Sequence, residues 1–272
     1  MRLHSPHFRL VIGLLTALLL IGGIFLTLSL VKKPVTTQGT FFQSTLKNPT
    51  GNLPGVVQSS IKSQPLDQST ITIMPLGDSI TAGVGSSTHA GYRSQLWSDC
   101  LTAHWHIQFV GSQLSGPASL TDRAHEGHPG WRIRQISDHV VNWLQTYKPR
   151  VVLLQIGTND IVYHDAVSTA PGRLRSLILQ IHETLPGTTI IVAQITPLRN
   201  AALNSQVIAY NLAIPSIVQG LAMQGLPVRY VDMYHAVPVS DLEDGIHPND
   251  SGYDAMAGVW YRALHSLLAP VE

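Results

Sequence analysis

Residues 73–83 read "IMPLGDSITAG": an apolar run closes on Gly77, Asp78 and Ser79, and a second glycine, Gly83, follows the serine. The run beginning at Ile71, "ITIMPL", is short and β-rich. Glycine then permits the chain to turn, which leaves Ser79 just past the strand end. Four runs of the same kind follow: "IQFVGS" from Ile107, "VVLLQIG" from Val151, "TIIVAQI" from Thr189 and "PVRYVDM" from Pro227. Between and after them lie amphipathic helix candidates at Tyr92–Leu101, Arg132–Tyr147, Gly172–Leu185, Asn204–Met223 and Asp250–Leu268. Short β-rich runs alternating with longer helices predict an α/β protein, a three-layer α/β/α sandwich around a five-stranded, mostly parallel sheet. In open sheets of this type ligands sit beyond the carboxyl ends of the strands, so the residues after each run are where chemistry is expected.

The bulk properties agree with one catalytic-size domain. The chain has 272 residues, 44% of them hydrophobic and 12% charged, with a formal net charge of +1. That is enough chain for a sizeable core. The charge balance gives no electrostatic footprint for nucleic acid, so no nucleic-acid partner is expected. Cys100 is the only cysteine, which excludes an intrachain disulfide and a thiolate metal cage. It falls in a helix candidate with no basic neighbour to activate it.

The N-terminal part reads differently. After a flank of residues 1–9, Leu10–Val31 carries no charge and at 1.5 Å per residue crosses a ~30 Å hydrocarbon core. Basic residues on both sides, Arg2 and Arg9 before and Lys32 and Lys33 after, do not choose an orientation. The apolar region is long for a cleaved signal peptide and "LTLSLVKK" offers a poor cleavage site, so the segment reads as an uncleaved signal anchor. Secretion after cleavage is the alternative. Residues 32–69 are rich in Pro, Gly, Ser, Thr, Gln and Asn without an apolar period, the composition of a flexible linker. The expected organisation is therefore flank 1–9, transmembrane segment 10–31, linker 32–69 and a catalytic domain over 70–272.

Three strand ends carry chemistry. Ser79 follows the first. "GTND" follows the third, placing Asn159 and Asp160 at the same edge, and the last leads to "DGIHPND" with Asp244 and His247 three apart. A serine hydroxyl needs an imidazole to take its proton, and the imidazole needs a carboxylate to fix its tautomer. Taken singly, each motif has an ordinary reading: a Gly-Asp-Ser turn, a capping Asp-x-x-His, an asparagine closing a turn. Their order, each after a strand of one sheet, favours a hydrolase site.

"GDSITAG", "GTND" and "DGIHPN" together resemble the GDSL or SGNH hydrolase superfamily, with a flavodoxin-like fold, over about residues 71–268. The chain has Ile80 where the superfamily name has leucine, which retains an apolar side chain. The resemblance implies Ser79 as nucleophile and Asp244 and His247 as its partners. It also implies an oxyanion hole of the Ser79 amide, a second-block glycine and the Asn159 side chain. Gly130 in "HPGWRI" matches that glycine and precedes a helix candidate, where free amides suit an oxyanion; Gly111 and Gly127 are rivals. The strings "GYRSQLW", "FVGSQ", "HEGHPGWRI" and "DGIHPNDSGYDAMAGVW" resemble the branch of family three carbohydrate esterases, which includes acetyl xylan esterases.

The expectation is a serine esterase that removes short acyl groups, acetyl above all, from carbohydrate without metal or cofactor. Its partners would be an acetylated carbohydrate or other small ester and, through residues 10–31, a cell membrane, with the catalytic domain outside the cell. Alternatives are a sugar O-acetyltransferase, a lysophospholipase or thioesterase of the same superfamily, and a noncatalytic carbohydrate-binding module. "HEGH" at 125–128 lacks the helical His-to-His spacing of a metalloprotease and reads as a substrate-lining loop. Tyr92, Trp131 and Arg132 are candidates for the wall of that site, against the simpler reading of core, and Asp78 and Asp160 for bracing the serine and asparagine loops.

Overall fold

A computed structural model of the chain describes residues 70–268. The flank, apolar segment and linker expected over 1–69 lie outside the described residues.

Seven strands are present among the described residues: β1 Ile71–Gly77, β2 Ile107–Phe109, β3 Gln113–Leu114, β4 Ala124–Gly127, β5 Val151–Gln155, β6 Thr189–Ala193 and β7 Val228–Val231. The order is β3-β4-β1-β5-β6-β7, with β2 also paired to β1. All pairings are parallel except β3 with β4. The expected count of five strands is thus corrected to seven; the sheet is mostly parallel, as expected, and mixed only through the antiparallel β3. The unforeseen β4 reads "AHEG", polar and without β-branched residues, so nothing local marks it as a strand. It is a strand because it completes one edge of β1, pairing Leu76 with Glu126 and Gly77 with Gly127 while β2 occupies the first half of that edge.

Alternating side chains of the central strands face opposite layers. Met74, Leu76, Val152, Leu154, Ile190 and Val192 join one buried cluster with α3 (Ile133–Tyr147), α5 (Ala170–Thr184) and α6 (Ala201–Ala222). Ile73, Val151, Leu153, Ile191 and Ala193 join the other with α2 (Tyr92–Thr102) and α7 (Asp250–Leu268). Two short helices, α1 (Ser79–Ala82) and α4 (Thr158–Val162), sit directly after β1 and β5.

Helix α6 has the length and apolarity to cross a membrane, yet Val207, Tyr210, Ile214, Val218 and Leu221 are buried in the first cluster. Its start, earlier than expected, follows from Asn200, whose side chain accepts from the Leu203 amide at 3.0 Å. Pro215 stands inside it. A proline there leaves the carbonyl four residues back without its helical donor. Gln194 Nε2 donates to that carbonyl, Asn211 O, at 3.4 Å.

The end of β1 is crowded. A methyl group at Gly77 would run into the Gln155 carbonyl oxygen of the neighbouring strand and the Thr81 hydroxyl. Because the first obstacle is ladder backbone, it cannot move aside. Gly77→Ala is expected to destabilise the domain by about 3 kcal/mol or more, read from urea unfolding of the intact chain; a change within experimental error would show that the β1–β5 ladder yields.

Candidate active site

Strands β1, β4 and β5 run in one direction, so the segments that follow them emerge at one edge of the sheet. Asp78 caps α1, its Oδ1 accepting from the Ile80 amide at 3.0 Å. Ser79 is therefore held in the first turn, 7% exposed. The turn ends at Gly83, whose amide donates to Ser79 O at 3.0 Å.

The loop before α7 brings in the imidazole. Asp244 Oδ1 accepts from the amides of Ile246 at 3.0 Å and His247 at 2.9 Å. Its Oδ2 lies 2.7 Å from His247 Nδ1. An ionised carboxylate can only accept, so Nδ1 carries the proton and Nε2 is left to accept from the Ser79 hydroxyl, at 2.8 Å. Burial tends to raise the Asp244 pKa, but the hydrogen bonds from the His247 amide, the His247 ring and the Ile246 amide together outweigh it and hold the carboxyl at about 2. The loop is closed by Glu243 N donating to His247 O at 2.8 Å and anchored beyond β6 by Arg199 N donating to Gly245 O at 2.9 Å.

Asn159 stands in the first turn of α4, 8% exposed, and its Nδ2 donates to Trp131 O at 3.0 Å. Gly130, in the turn before that tryptophan, has φ 80°, a left-handed conformation that favours glycine. No atom lies within 4 Å of the place a Cβ would take, so the turn faces open space. The same turn is tied to the serine strand by His128 N donating to Gly77 O at 3.0 Å. The loops carrying Ser79, Gly130 and Asn159 are therefore hydrogen-bonded into one unit.

The expected bracing residues have distinct places. Asp160 is fully buried; its Oδ2 accepts from the Ile133 amide at 3.0 Å and its Oδ1 from Arg173 Nη2 at 2.7 Å. Arg173 was not singled out in the sequence. Tyr92 is also fully buried and packs on Trp260 at 5.8 Å, so it supports from the core and does not line the site. Trp131 and Arg132 are half-buried. "HEGH" is corrected from a loop to strand β4 and its exit, with His125 and Glu126 buried. His125 Nδ1 accepts from Gly127 N at 2.9 Å, so its Nε2 donates to Ser115 Oγ at 2.8 Å. Burial, then Arg93 and His128, lowers its pKa to about 3, which keeps it neutral.

A further residue sets the serine turn. Arg93 is fully buried, and its guanidinium donates to the carbonyls of Ala82, His89, Ser115 and Arg123 and to Ser115 Oγ. Ser115 Oγ donates in turn to Ala82 O at 2.9 Å. The end of the serine helix is thus gripped twice. The helical spacing of Tyr92, Leu96 and Cys100 already marks a buried face, and Arg93 beside it is the one signal that a paired arginine lies there.

One sheet edge thus presents serine, histidine and carboxylate in hydrogen-bonded sequence, the arrangement that activates a serine hydroxyl as a nucleophile. Residues 76–255 match the model of the GDSL-like Lipase/Acylhydrolase family. The chain belongs to that family. It is 28% identical over 227 residues to a multidomain esterase of Ruminococcus flavefaciens, covering 73% of this chain and 29% of that protein. It likewise spans 59% of a second curated relative, from Acetivibrio thermocellus. Among solved structures it is similar to a Clostridium thermocellum family 3 carbohydrate esterase, with 39% identity, a TM-score of 0.67, and coverage of 74% of this chain and 100% of that one. A carbohydrate esterase family 3 structure from Talaromyces cellulolyticus has 29% identity and a TM-score of 0.64, covering 74% of this chain and 100% of that one.

Beside the serine, burial raises the Asp78 pKa from 3.8 to about 6, against the opposing hydrogen bond of the Ile80 amide. A carboxyl raised in the folded state favours folding below its unfolded value and loses that advantage as pH rises through about 6. Asp78→Asn, which keeps the capping oxygen, should therefore gain stability relative to the parent by about 2–3 kcal/mol between acid and mildly alkaline pH. Parallel denaturation curves at pH 4 and pH 8 measure this, and a pH-independent difference would show that Asp78 titrates normally.

Proposed function

We propose that the protein removes acetyl groups from carbohydrate by an acyl-enzyme mechanism. The observation that carries the mechanism is the continuous chain from Ser79 Oγ through His247 to Asp244. Ser79 attacks the ester carbonyl while His247 Nε2 takes its proton and passes it to the sugar oxygen as the acyl C–O bond breaks, releasing the sugar with a free hydroxyl. Asp244 orients the ring and stabilises its cation. Water then attacks the acyl-serine, His247 takes its proton, and acetate leaves as Ser79 recovers its hydrogen. The amides of Ser79 and Gly130 and the Asn159 carboxamide stabilise the tetrahedral oxyanion. The Ser79 amide, in the first turn of α1, has no intrahelical acceptor to compete for it.

The substrate class is supported by the 39% identity to a family 3 carbohydrate esterase that the chain spans completely. The acetyl preference rests on the sequence resemblance to acetyl xylan esterases. We further propose that Leu10–Val31 holds the enzyme in a cell membrane and that residues 32–69 let the domain reach acetylated polysaccharide outside the cell.

Two measurements on the intact chain test the mechanism and the acyl size. Ser79→Ala and His247→Ala should each abolish hydrolysis of a short-chain nitrophenyl ester, and Asn159→Ala should lower kcat by ~10²-fold or more with little change in KM. Retention of more than a few per cent of turnover by the serine variant would remove the assignment. Acetate esters should be cleaved far faster than octanoate esters, and acetate should be released from acetylated xylan. A preference for octanoate would point instead to a lipase or thioesterase.

A further inference from the structure

Beyond the reacting atoms, one exposed aromatic side chain stands on the same structural unit as the oxyanion asparagine. Tyr163 closes α4, and its amide donates to Asn159 O at 3.1 Å. Residues four apart on a helix share a face, about 5–6 Å apart. Asn159 uses that face to reach the carbonyl of Trp131. Tyr163 meets the next residue of the same loop: the Arg132 guanidinium lies over its ring, 5.9 Å from the centroid. The two side chains thus address one loop, Asn159 at its buried end and Tyr163 at its outer end.

Exposure separates their tasks. Asn159 is 8% exposed, whereas Tyr163 is 60% exposed, among the most exposed large hydrophobic residues of the domain. Arg132 is not free to swing away, because its Nη1 is paired with Asp165 Oδ2 at 3.2 Å. Asp165 is itself fixed, its amide donating to Asp160 O at 2.8 Å and its carbonyl accepting from Arg173 Nη2 at 2.7 Å. The result is a preset aromatic surface with a hydrogen-bond donor and a carboxylate acceptor beside it, one helical turn outward from the oxyanion position.

We propose that Tyr163 with the Arg132–Asp165 pair is a sugar-ring subsite, one that receives a neutral pyranose of the substrate chain. The inference rests on the carbohydrate reading given above. The leaving oxygen faces His247, but a polysaccharide carries sugar rings on either side of the esterified one, and rings that run past Asn159 meet the exposed Tyr163 side chain. A pyranose presents C–H groups on its faces and hydroxyls around its rim. The electron-rich face of a tyrosine ring suits the first, and a guanidinium with a carboxylate suits the second. A tyrosine also adds contact area at small entropic cost, having only two side-chain torsions. The ion pair alone, its side chains 35% and 33% exposed, contributes little to stability, so its arrangement is better explained by what it holds in place.

The test uses the full chain carrying Ser79→Ala, so that no turnover intervenes, with xylohexaose as the probe in titration calorimetry. Adding Tyr163→Ala should weaken binding about tenfold or more, and Tyr163→Trp, which keeps an aromatic face, should retain most of it. Equal affinity with and without the tyrosine ring, or no xylohexaose binding at millimolar concentration, overturns the subsite. In the active chain, Tyr163→Ala should lower the ratio of kcat/KM on acetylated xylo-oligosaccharide to kcat/KM on 4-nitrophenyl acetate by about tenfold. A loss equal on both substrates would mean that the ring merely holds the Asn159 turn, and would also overturn it. Failure to release acetate from acetylated xylan, with xylohexaose binding still dependent on Tyr163, would remove the proposed activity and leave the subsite standing.

Discussion

The 2.8 Å contact between Ser79 Oγ and His247 Nε2 joins residues 168 positions apart in the chain, and the domain can be understood as the means of holding it. A hydrogen bond is lost over a displacement of a few tenths of an ångström, so both ends have to be fixed to one rigid body. The parallel sheet supplies that body, since its strands deliver their following segments to one edge. Local ties then remove the remaining freedom. Tyr253 in α7 donates to Val84 O at 2.6 Å, and Ser87 N donates to Asp250 Oδ1 at 2.9 Å. These bonds clamp the start of α7, just after His247, to the segment just after Ser79.

A second feature is the concentration of buried polar groups behind this edge. Arg93, His125, Glu126 and Asp160 are each at most 2% exposed. Burying such groups costs several kcal/mol unless their hydrogen-bonding capacity is met. Most of it is met here by backbone at loops and an element end: the guanidinium nitrogens Nη1 and Nη2 of Arg93 take four carbonyls, leaving Nε without a partner, and Glu126 accepts from Ser112 N, Ser112 Oγ at 3.0 Å and His128 Nε2 at 2.9 Å. Apolar packing alone would leave those loops free to move relative to one another. Polar cross-links specify a single arrangement, and the loops that carry Gly130 and Asn159 inherit it.

This division explains what the sequence made legible. Five of the seven strands and five long helices announce themselves by apolar runs and periodicity, because burial selects those side chains directly. The site residues Ser79, Asn159, Asp244 and His247 stand in short strings at strand ends, where position and residue type coincide. Strand β4 was hidden because its side chains answer to distant partners, Ser115 and Ser112, instead of to a hydrophobic face. Arg173 was hidden for the same reason: nothing in its own helix shows that Asp160 and the carbonyl of Asp165 lie opposite it. Tyr92 misled in the other direction, an aromatic after a glycine that the sheet-facing side of α2 draws wholly into the core.

The limits of a motif are visible within the molecule itself. Asp232 and His235, after β7, repeat the Asp-x-x-His spacing of Asp244 and His247 and fold into the same hook. Asp232 Oδ1 accepts from the His235 amide at 3.1 Å, and Oδ2 lies 2.8 Å from Nδ1. The local geometry of carboxylate and imidazole is thus nearly equal in the two places, and follows from three-residue spacing alone. What differs is placement. The His235 side chain is 77% exposed, whereas that of His247 is 16% exposed and faces Ser79. An oriented imidazole becomes a base for serine only where a separate strand delivers the hydroxyl to its free nitrogen. That delivery belongs to the sheet topology and to the clamp between α7 and the serine turn, and no single loop sequence contains it.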